Sequence, residues 1–224
     1  MSARKLQKAQ TRRALLEAAL SQMGTDRDFA SLSLREVARA AGIAPTSFYR
    51  HFRDLEELGI SLVEGAAGDL RERMRWARRE VDPDIGMVRA SVNTFMEYLN
   101  EHASLRHILL RERAVGTPAF RSAVKNAIEG FVDDLSEDLK RVNEERGTPI
   151  GDIRLVAETL VTLVLDGGTA ALEGGPEGRE AVAERLVTQL RMVVLGAQTM
   201  ANARSTWTGR RIVYKSIDGG GVTR

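Results

Sequence analysis

Residues 33–52, SLREVARAAGIAPTSFYRHF, constrain the fold of this chain more than any other stretch, because they predict two short helices joined by a tight turn. Ser33 and Glu36 have the spacing of a capping box at the start of the first helix. Gly42 stands where a helix favours a C-terminal glycine. Pro45 then opens the second helix, at a position where its missing N–H costs nothing. This order is typical of a helix-turn-helix motif.

The second of these helices carries side chains that suit DNA. Phe48 and Phe52 are four residues apart, so they share one face and are expected to anchor this helix to its neighbours. The polar side chains are then left largely outward: Thr46, Ser47, Tyr49, Arg50 and His51. Hydroxyl and guanidinium groups hold phosphates and read base edges when a recognition helix lies in the major groove. The motif therefore predicts a DNA-binding protein.

The charge distribution agrees with a basic N-terminal head. The whole chain carries a formal net charge of only +2. Residues 1–55 nevertheless hold ten Lys or Arg against five Asp or Glu, while the remaining residues hold 23 against 26. This asymmetry favours contact with phosphates at one end of the molecule only.

Composition argues against several other classes of protein. The chain has no Cys, so neither a disulfide framework nor a thiolate metal site is possible, and a reducing compartment is expected. No apolar run reaches the ~18 residues of a membrane span, and the basic N-terminus lacks the apolar stretch of a signal peptide. Nucleophile-elbow, P-loop and dinucleotide-binding motifs are absent. We therefore expect a cytoplasmic protein that is not an enzyme and needs no metal or cofactor.

Helical periodicity recurs along the chain and strand signals are almost absent, so an all-α fold of about nine helices is predicted. Besides the helix-turn-helix pair, the predicted helices cover residues 3–23, 54–79, 84–101, 104–113, 118–146, 151–173 and 179–204. The predicted domains are a helix-turn-helix DNA-binding domain (1–53), a helical effector-binding and dimerisation domain (54–206) and a flexible tail (207–224). Because Asp54 can cap the long fourth helix directly after the motif, we expect a rigid connection between the two domains.

The segment LREVARAAGIAPTSFYRHFRDLEEL, residues 34–58, resembles the signature of the tetracycline-repressor (TetR) family of bacterial transcriptional regulators. The matching features are Ala41-Gly42 at the turn, followed by Tyr49, His51 and Phe52. The resemblance implies a DNA-binding head followed by a helical ligand-binding body.

The same resemblance implies particular DNA contacts. In this family Tyr49 and His51 match positions that hold phosphates, while Arg12, Arg13 and Ser33 would face the DNA backbone. The complete DNA-contacting set is then Arg12, Arg13, Ser33, Thr46, Ser47, Tyr49, Arg50 and His51. Without the family pattern, the two neighbouring arginines of the first helix could equally form an ordinary solvated face.

A longer resemblance extends into the body. The segments RKLQKAQTRRALLEAALSQ, FASLSLREVARAAGIAPTSFYRHFRDLEELG, SVNTFMEYL and LLRERAVGTPAFRSAV are similar to the subgroup that represses unsaturated fatty-acid synthesis, DesT and FabR. This resemblance implies a long-chain acyl-CoA effector. It also implies operators beside genes for unsaturated fatty-acid synthesis or desaturation.

The predicted eighth and ninth helices, 151–173 and 179–204, are candidates for a homodimer interface. Helix-turn-helix proteins usually bind DNA as two-fold dimers, with recognition helices ~34–36 Å apart. Both helices are more apolar than a solvent-facing helix needs, and Gly167 and Gly168 could allow helices to approach closely. The alternative is that these helices only complete the core of a monomer.

The body also contains candidates for an acyl-chain tunnel: Phe95, Met96, Leu99, Leu109, Phe120, Val124, Ile128, Phe131 and Leu163. Apolar residues at helical spacing are equally expected in an ordinary core. Four arginines in the same region could pair with CoA phosphates or with carboxylates of the chain itself: Arg106, Arg111, Arg113 and Arg121.

Three other functions remain compatible with the sequence. The chain could be a TetR-type regulator that senses a drug or another small hydrophobic molecule, or a helical lipid carrier. It could also be an architectural DNA binder, which would lack the ~10³-fold or greater operator preference of a repressor.

Overall fold

The computed structural model describes residues 3–23, 29–81, 85–102, 117–173 and 175–207. Within these ranges the chain is helical and contains no strand, which confirms the predicted all-α class. The eight α-helices are α1 (Ala3–Gln22), α2 (Leu34–Ala40), α3 (Pro45–Phe48), α4 (Leu55–Arg79), α5 (Ile85–Glu101), α6 (Pro118–Arg146), α7 (Ile153–Glu173) and α8 (Gly175–Trp207). A short 3-10 helix covers Phe29–Ser31. The helix predicted at 104–113 and residues 208–224 of the predicted tail lie outside the described residues. Trp207, the first residue of that predicted tail, is instead the last residue of α8.

The last helix begins earlier than the sequence predicts. We expected it from about residue 179, but α8 already begins at Gly175. Pro176 lies in its first turn, where the missing N–H removes no helical hydrogen bond. The proline therefore opens this helix instead of lengthening the break before it.

Asp54 starts the long helix α4, as the sequence predicts. Its Oδ1 accepts a hydrogen bond from the backbone N–H of Glu57 at 2.8 Å. Glu56 and Glu57 lie in the first turn and two arginines lie in the last, which suits the helix dipole at both ends. Only two residues separate Phe52 from α4, so a rotation of this helix must also move the head.

One hydrophobic core runs from the head (α1–α3) into the body (α4–α8). Buried Phe48 of the head belongs to the same cluster of side chains as Leu58 and Phe95 of the body. The ring of Phe29, which precedes α2, lies 6.0 Å from the ring of Phe120 in α6. Head and body are therefore packed together through side chains as well as joined through the backbone.

Gly59 of α4 is the point of closest approach in this junction. A Cβ atom at Gly59 would lie 2.6 Å from Phe29 Cζ and 3.1 Å from Phe120 Cε2. We expect Gly59→Ala to lower the free energy of unfolding by about 1–3 kcal/mol, because the added methyl overpacks the junction. Gly65 of the same helix is the control, since a Cβ there would meet nothing within 4 Å.

Gly65→Ala should raise the free energy of unfolding by about 0.5–1 kcal/mol, through helix propensity and reduced freedom of the unfolded chain. Urea unfolding of both variants measures these changes. A stabilising effect of Gly59→Ala would contradict the close approach of the Phe29 and Phe120 rings to Gly59.

Helices α4 and α6 run in the same direction, away from the head. Gly59 lies against Phe120 near their starts, and Arg78, near the end of α4, bonds to Asp138 of α6. Helix α5 runs back, since the Tyr98 hydroxyl near its end donates to the carbonyl of Ala66 in α4 at 3.0 Å. We call the end of the body beside the head the proximal end, and the end beside Arg78 the distal end.

Helix α7 also runs back toward the head, and α8 runs away from it. Gly168, in the last turns of α7, lies against Phe95 and Leu99 of α5. Gly167 lies against Leu186 of α8. The second half of α8 therefore lies at the distal end.

Among the described residues, two hydrogen-bonded ion pairs join α4 to α6. Arg71 Nε and Nη2 donate to the two carboxylate oxygens of Asp134 at 2.7 and 2.8 Å. Burial by itself raises the pKa of Asp134, but the hydrogen bonds and charge of Arg71, helped by Arg75 and Arg78, outweigh it and lower the pKa. The second pair, Arg78 with Asp138, is buried on both sides. Both pairs fix the rotation of α4 against α6.

Candidate DNA-binding surface and ligand cavity

The turn between α2 and α3 is a Schellman motif. Gly42 has a φ of +71°, and its N–H donates to the carbonyl of Arg39 at 3.0 Å. The N–H of Ile43 donates to the carbonyl of Ala38, also at 3.0 Å. This pair of hydrogen bonds ends a helix and turns the chain sharply, and the positive φ favours glycine.

Half of the predicted capping box is not formed. Ser33 occupies the N-cap position of α2 with extended backbone angles, but its side chain makes no capping hydrogen bond. That part of the prediction is wrong. The N–H groups in the first turn of α2 are therefore not capped by this hydroxyl.

Phe48 and Phe52 hold the recognition segment in place, as their spacing predicts. Their exposures are 0% and 1%, and their ring centroids are 5.7 Å apart. The regular helix α3 ends at Phe48, but turn hydrogen bonds continue, since His51 and Phe52 both donate to the carbonyl of Phe48. The segment 45–52 therefore keeps one face buried and one face open.

Three of the five polar side chains of this segment are exposed, as the sequence predicts, and the other two are not. Thr46 and Arg50 are exposed, and Tyr49 is 63% exposed although its neighbour Phe48 is buried. Ser47 and His51 are half-buried. Together these five side chains form one polar surface, with the rings of Phe48 and Phe52 beneath it.

Arg12 and Arg13 of α1 are already engaged. Arg12 Nη2 donates to Ser61 Oγ of α4 at 2.7 Å, and its guanidinium lies 4.6 Å from the centre of the Phe52 ring. Arg13 Nε donates to Glu17 at 2.7 Å on the same helix. Such an exposed pair is worth only about 0–1 kcal/mol, so Arg13 can exchange its carboxylate for a phosphate at little cost. Arg12 instead ties α1 to α4.

The surroundings of His51 favour its neutral form. Burial lowers its pKa below the ordinary value, and the positive charges of Lys8, Arg12 and Arg50 lower it further. Its Nδ1 is buried and has no hydrogen-bond partner among the described residues. A phosphate beside it would favour the charged form and raise its pKa.

The body contains a partly open cavity of about 270 Å³ between α4, α5, α6, α7 and α8. It is elongated: its wall includes residues 87–99 of α5, which at 1.5 Å per residue is about 18 Å of helix. Most of the lining side chains are apolar. This is the shape and chemistry of a site for an elongated hydrophobic ligand.

Five of the nine residues predicted for the tunnel line this cavity: Phe95, Leu99, Val124, Ile128 and Phe131. Three others lie elsewhere. Phe120 packs on Phe29 at the junction with the head, and Met96 and Leu163 pack against the hydrophobic clusters without reaching the cavity wall. Leu109 lies outside the described residues.

Of the four arginines predicted to pair with CoA phosphates, Arg106, Arg111 and Arg113 lie outside the described residues. Arg121 lies exposed on the first turns of α6. The cavity wall instead contains Arg78, which sequence reasoning missed. Its signal is its position four residues after Met74 and eight after Leu70. This places a charge on the apolar face of α4.

Large apolar side chains are exposed along the outer faces of α7 and α8: Leu155, Met192, Leu195 and Met200. Exposed apolar patches mark interaction sites in soluble proteins. Gly167 and Gly168 do not belong to this face. Both are buried and allow α7 to pack closely on Leu186 and Phe95 within one subunit.

Comparison with known families decides the class of the protein. Residues 15–61 match the family model "Bacterial regulatory proteins, tetR family". Residues 85–194 match "Tetracyclin repressor-like, C-terminal domain". The chain belongs to the TetR family. It is therefore a DNA-binding transcriptional regulator, and the two matches correspond to its head and to most of its body.

Solved TetR-family structures share this fold at low sequence identity. The fatty acid degradation regulator FadR from Bacillus halodurans has a TM-score of 0.70 and 18% identity, over 81% of this chain and 94% of that one. FadR from Bacillus subtilis in complex with stearoyl-CoA has a TM-score of 0.70 and 17% identity, over 82% and 98%. AibR in complex with isovaleryl coenzyme A and operator DNA has a TM-score of 0.60 and 21% identity, over 80% and 97%.

Two kinds of feature are absent from the described residues of this TetR-family chain. None of the described helices combines the length and hydropathy needed to span a membrane. Within the same ranges, no group of three or more His, Cys, Asp or Glu side chains is placed to hold a metal ion.

Proposed function

We propose that this TetR-family regulator is a cytoplasmic homodimeric repressor whose affinity for double-stranded operator DNA is set by a bound long-chain acyl-CoA. Its proposed targets are genes of unsaturated fatty-acid synthesis or desaturation. The elongated apolar cavity carries the proposal, because an acyl chain is a common elongated apolar group of metabolites. Stearoyl-CoA and isovaleryl-CoA in two structures of the same fold support the choice of a thioester.

The coupling between ligand and DNA follows from α4. This helix lines the cavity with Leu70, Met74 and Arg78 and begins three residues after Phe52. A ligand that favours one rotation of α4 thereby favours one separation of the two heads in a dimer. A differential affinity of about 1–3 kcal/mol for the two states would change operator affinity by about 5- to 150-fold.

Operator affinity measured with palmitoyl-CoA, with palmitoleoyl-CoA and without ligand tests the effector. The two chains differ by a bend, which a packed cavity can distinguish, so we expect unequal operator affinities. Equal affinities in all three conditions would contradict an acyl-CoA effector. Mass spectrometry of ligand co-purified with the protein would then show whether a different hydrophobic molecule fills the cavity.

The recognition segment yields a prediction of its own. Tyr49→Phe should weaken binding to all DNA sequences by about three- to tenfold, if its exposed hydroxyl holds a phosphate. Thr46→Ala and Ser47→Ala should instead change the preferred operator sequence, if either hydroxyl meets a base edge. Footprinting and titration on operator and random DNA separate the two effects. Three variants with normal footprints would contradict the placement of this segment in the major groove.

The exposed apolar faces of α7 and α8 support the homodimer. Met192 is 68% exposed, and Met192→Glu would place a charge in the proposed interface. We expect sedimentation to show a monomer and operator affinity to fall by at least tenfold, because one head makes half of the contacts. Trp76→Glu is the control, since Trp76 is 67% exposed on α4. An unchanged dimer in Met192→Glu would contradict this interface.

A further inference from the structure

The polar side chains of the cavity wall are concentrated at its distal end. Arg78 is near the end of α4, Arg146 and Thr148 are at and beyond the end of α6, and Gln198 is in the second half of α8. Ser91 is the one polar residue in between, and its hydroxyl donates to the carbonyl of Met87 at 2.8 Å. Among the described lining residues both charged groups are arginines. The distal end therefore contains most of the hydrogen-bond-donating side chains of the described cavity wall.

Arg78 is an unusual residue to find in a cavity wall. Its side chain is 4% exposed, and its Nε donates to Asp138 Oδ2 at 2.5 Å. The other oxygen of Asp138 accepts from Arg141 Nη2 at 2.9 Å. One carboxylate is thus shared by two guanidinium groups, and a guanidinium has five N–H donors in a fixed fork. Asp138 therefore holds Arg78 in position through one hydrogen bond from Nε, while Arg141 also lies 3.9 Å from Glu145.

The proximal end of the cavity is apolar. Phe95, Leu99 and Val124 lie there, with exposures of 3%, 3% and 1%. All three belong to the same buried cluster as Phe48 and Phe52 of the head. A group that presses on this end acts directly on the core shared by head and body.

We infer that the effector lies in one fixed direction, with its thioester group beside Arg78 and its terminal methyl group against Phe95, Leu99 and Val124. In this orientation Arg78 selects for a polar thioester end that accepts hydrogen bonds. The length of the acyl chain determines how its methyl end contacts the junction between α1–α3 and the body. The inference rests on the proposed acyl-CoA effector. It adds the direction of the acyl chain in the cavity and the residue that recognises the thioester end.

A photolabel locates the chain end directly. The probe is palmitoyl-CoA with a diazirine at the terminal carbon, irradiated with the full-length protein, and the labelled peptides are mapped by mass spectrometry. We expect labelling within residues 92–99 and 124–128. Labelling within 85–91 or 139–150 would overturn the orientation.

Operator affinity measured with the same probe distinguishes failure of the proposed orientation from failure of the proposed acyl-CoA effector. A probe that changes operator affinity but labels the distal residues overturns the orientation and leaves the acyl-CoA effector standing. A probe that neither binds nor changes operator affinity overturns both.

Two matched arginine variants test the role of Arg78. Arg78→Gln should weaken palmitoyl-CoA binding by about ten- to hundredfold, the usual effect of losing a charged hydrogen bond. Arg71→Gln removes the other hydrogen-bonded ion pair between α4 and α6, which is less buried, but Arg71 does not line the cavity. It should change palmitoyl-CoA affinity less than threefold. Equal losses in the two variants, or unchanged affinity in Arg78→Gln, would overturn the assignment of Arg78.

Discussion

The Asp138→Asn variant is expected to lose about 3–5 kcal/mol of unfolding free energy, the range found when one partner of a buried ion pair is removed. The side chains of Arg78 and Asp138 are only 4% and 9% exposed. Asparagine keeps the shape of the carboxylate but not its charge. Arg78 would remain a buried cation whose bonded counter-charge is gone, and Arg141 would lose the same partner. Urea unfolding followed by circular dichroism measures the change.

Asp133→Asn is the matched control for this prediction. Asp133 lies on the same helix and accepts from Arg154 Nη1 at 2.8 Å, but its side chain is 60% exposed. Water stabilises both charges there, so the loss should be about 1 kcal/mol or less. Similar losses in the two variants would indicate a general effect of charge on α6 instead of a buried pair.

The helix-turn-helix could be predicted almost residue by residue, because its signals are local. Gly42 is the residue that the left-handed turn favours, and Pro45 opens α3 where its missing N–H is harmless. The spacing of Phe48 and Phe52 alone determines which side chains are left outward. The error at Ser33 shows the limit of such signals, since a suitable residue at an N-cap need not form the hydrogen bond.

The cavity could be predicted only in part, because its wall is built from five helices that are distant in sequence. Phe120 and Val124 are one turn apart on α6 and are equivalent by periodicity. Phe120 meets Phe29 from the segment before α2, whereas Val124 meets the cavity. Helical spacing identifies the buried face of a helix but not the helix that packs against it.

Arg78 illustrates a signal that the sequence contained. An arginine in register with Leu70 and Met74 is costly to bury unless a carboxylate faces it. Asp134 and Asp138, four residues apart on α6, supply two carboxylates on one face. Charges in the apolar register of two separate helices predict a buried ion pair, although the sequence does not show that the pair borders a cavity.

The second large effect is expected from Phe48→Ala, which should lower the free energy of unfolding by about 3–5 kcal/mol. The Phe48 ring is fully buried and packs on Phe52 under the recognition segment. Total stabilities of single domains are ~5–15 kcal/mol, so this variant should be partly unfolded and should not bind operator DNA. Because Phe48 shares one cluster with Leu58 and Phe95, we expect a single unfolding transition at a lower midpoint.

The adjacent residue provides the control, because Tyr49 is 63% exposed and adds little to the core. Tyr49→Ala should change the free energy of unfolding by about 1 kcal/mol or less, although it loses an edge contact with the Phe48 ring. Its operator affinity should nevertheless fall, so the two variants separate loss of structure from loss of contact. Thermal unfolding recorded with and without operator DNA distinguishes the two variants.

If Phe48→Ala melted the head in a separate early transition and left the body at its wild-type midpoint, head and body would be independent units. A ligand signal could then not pass through their shared core, and α4 alone would have to carry it.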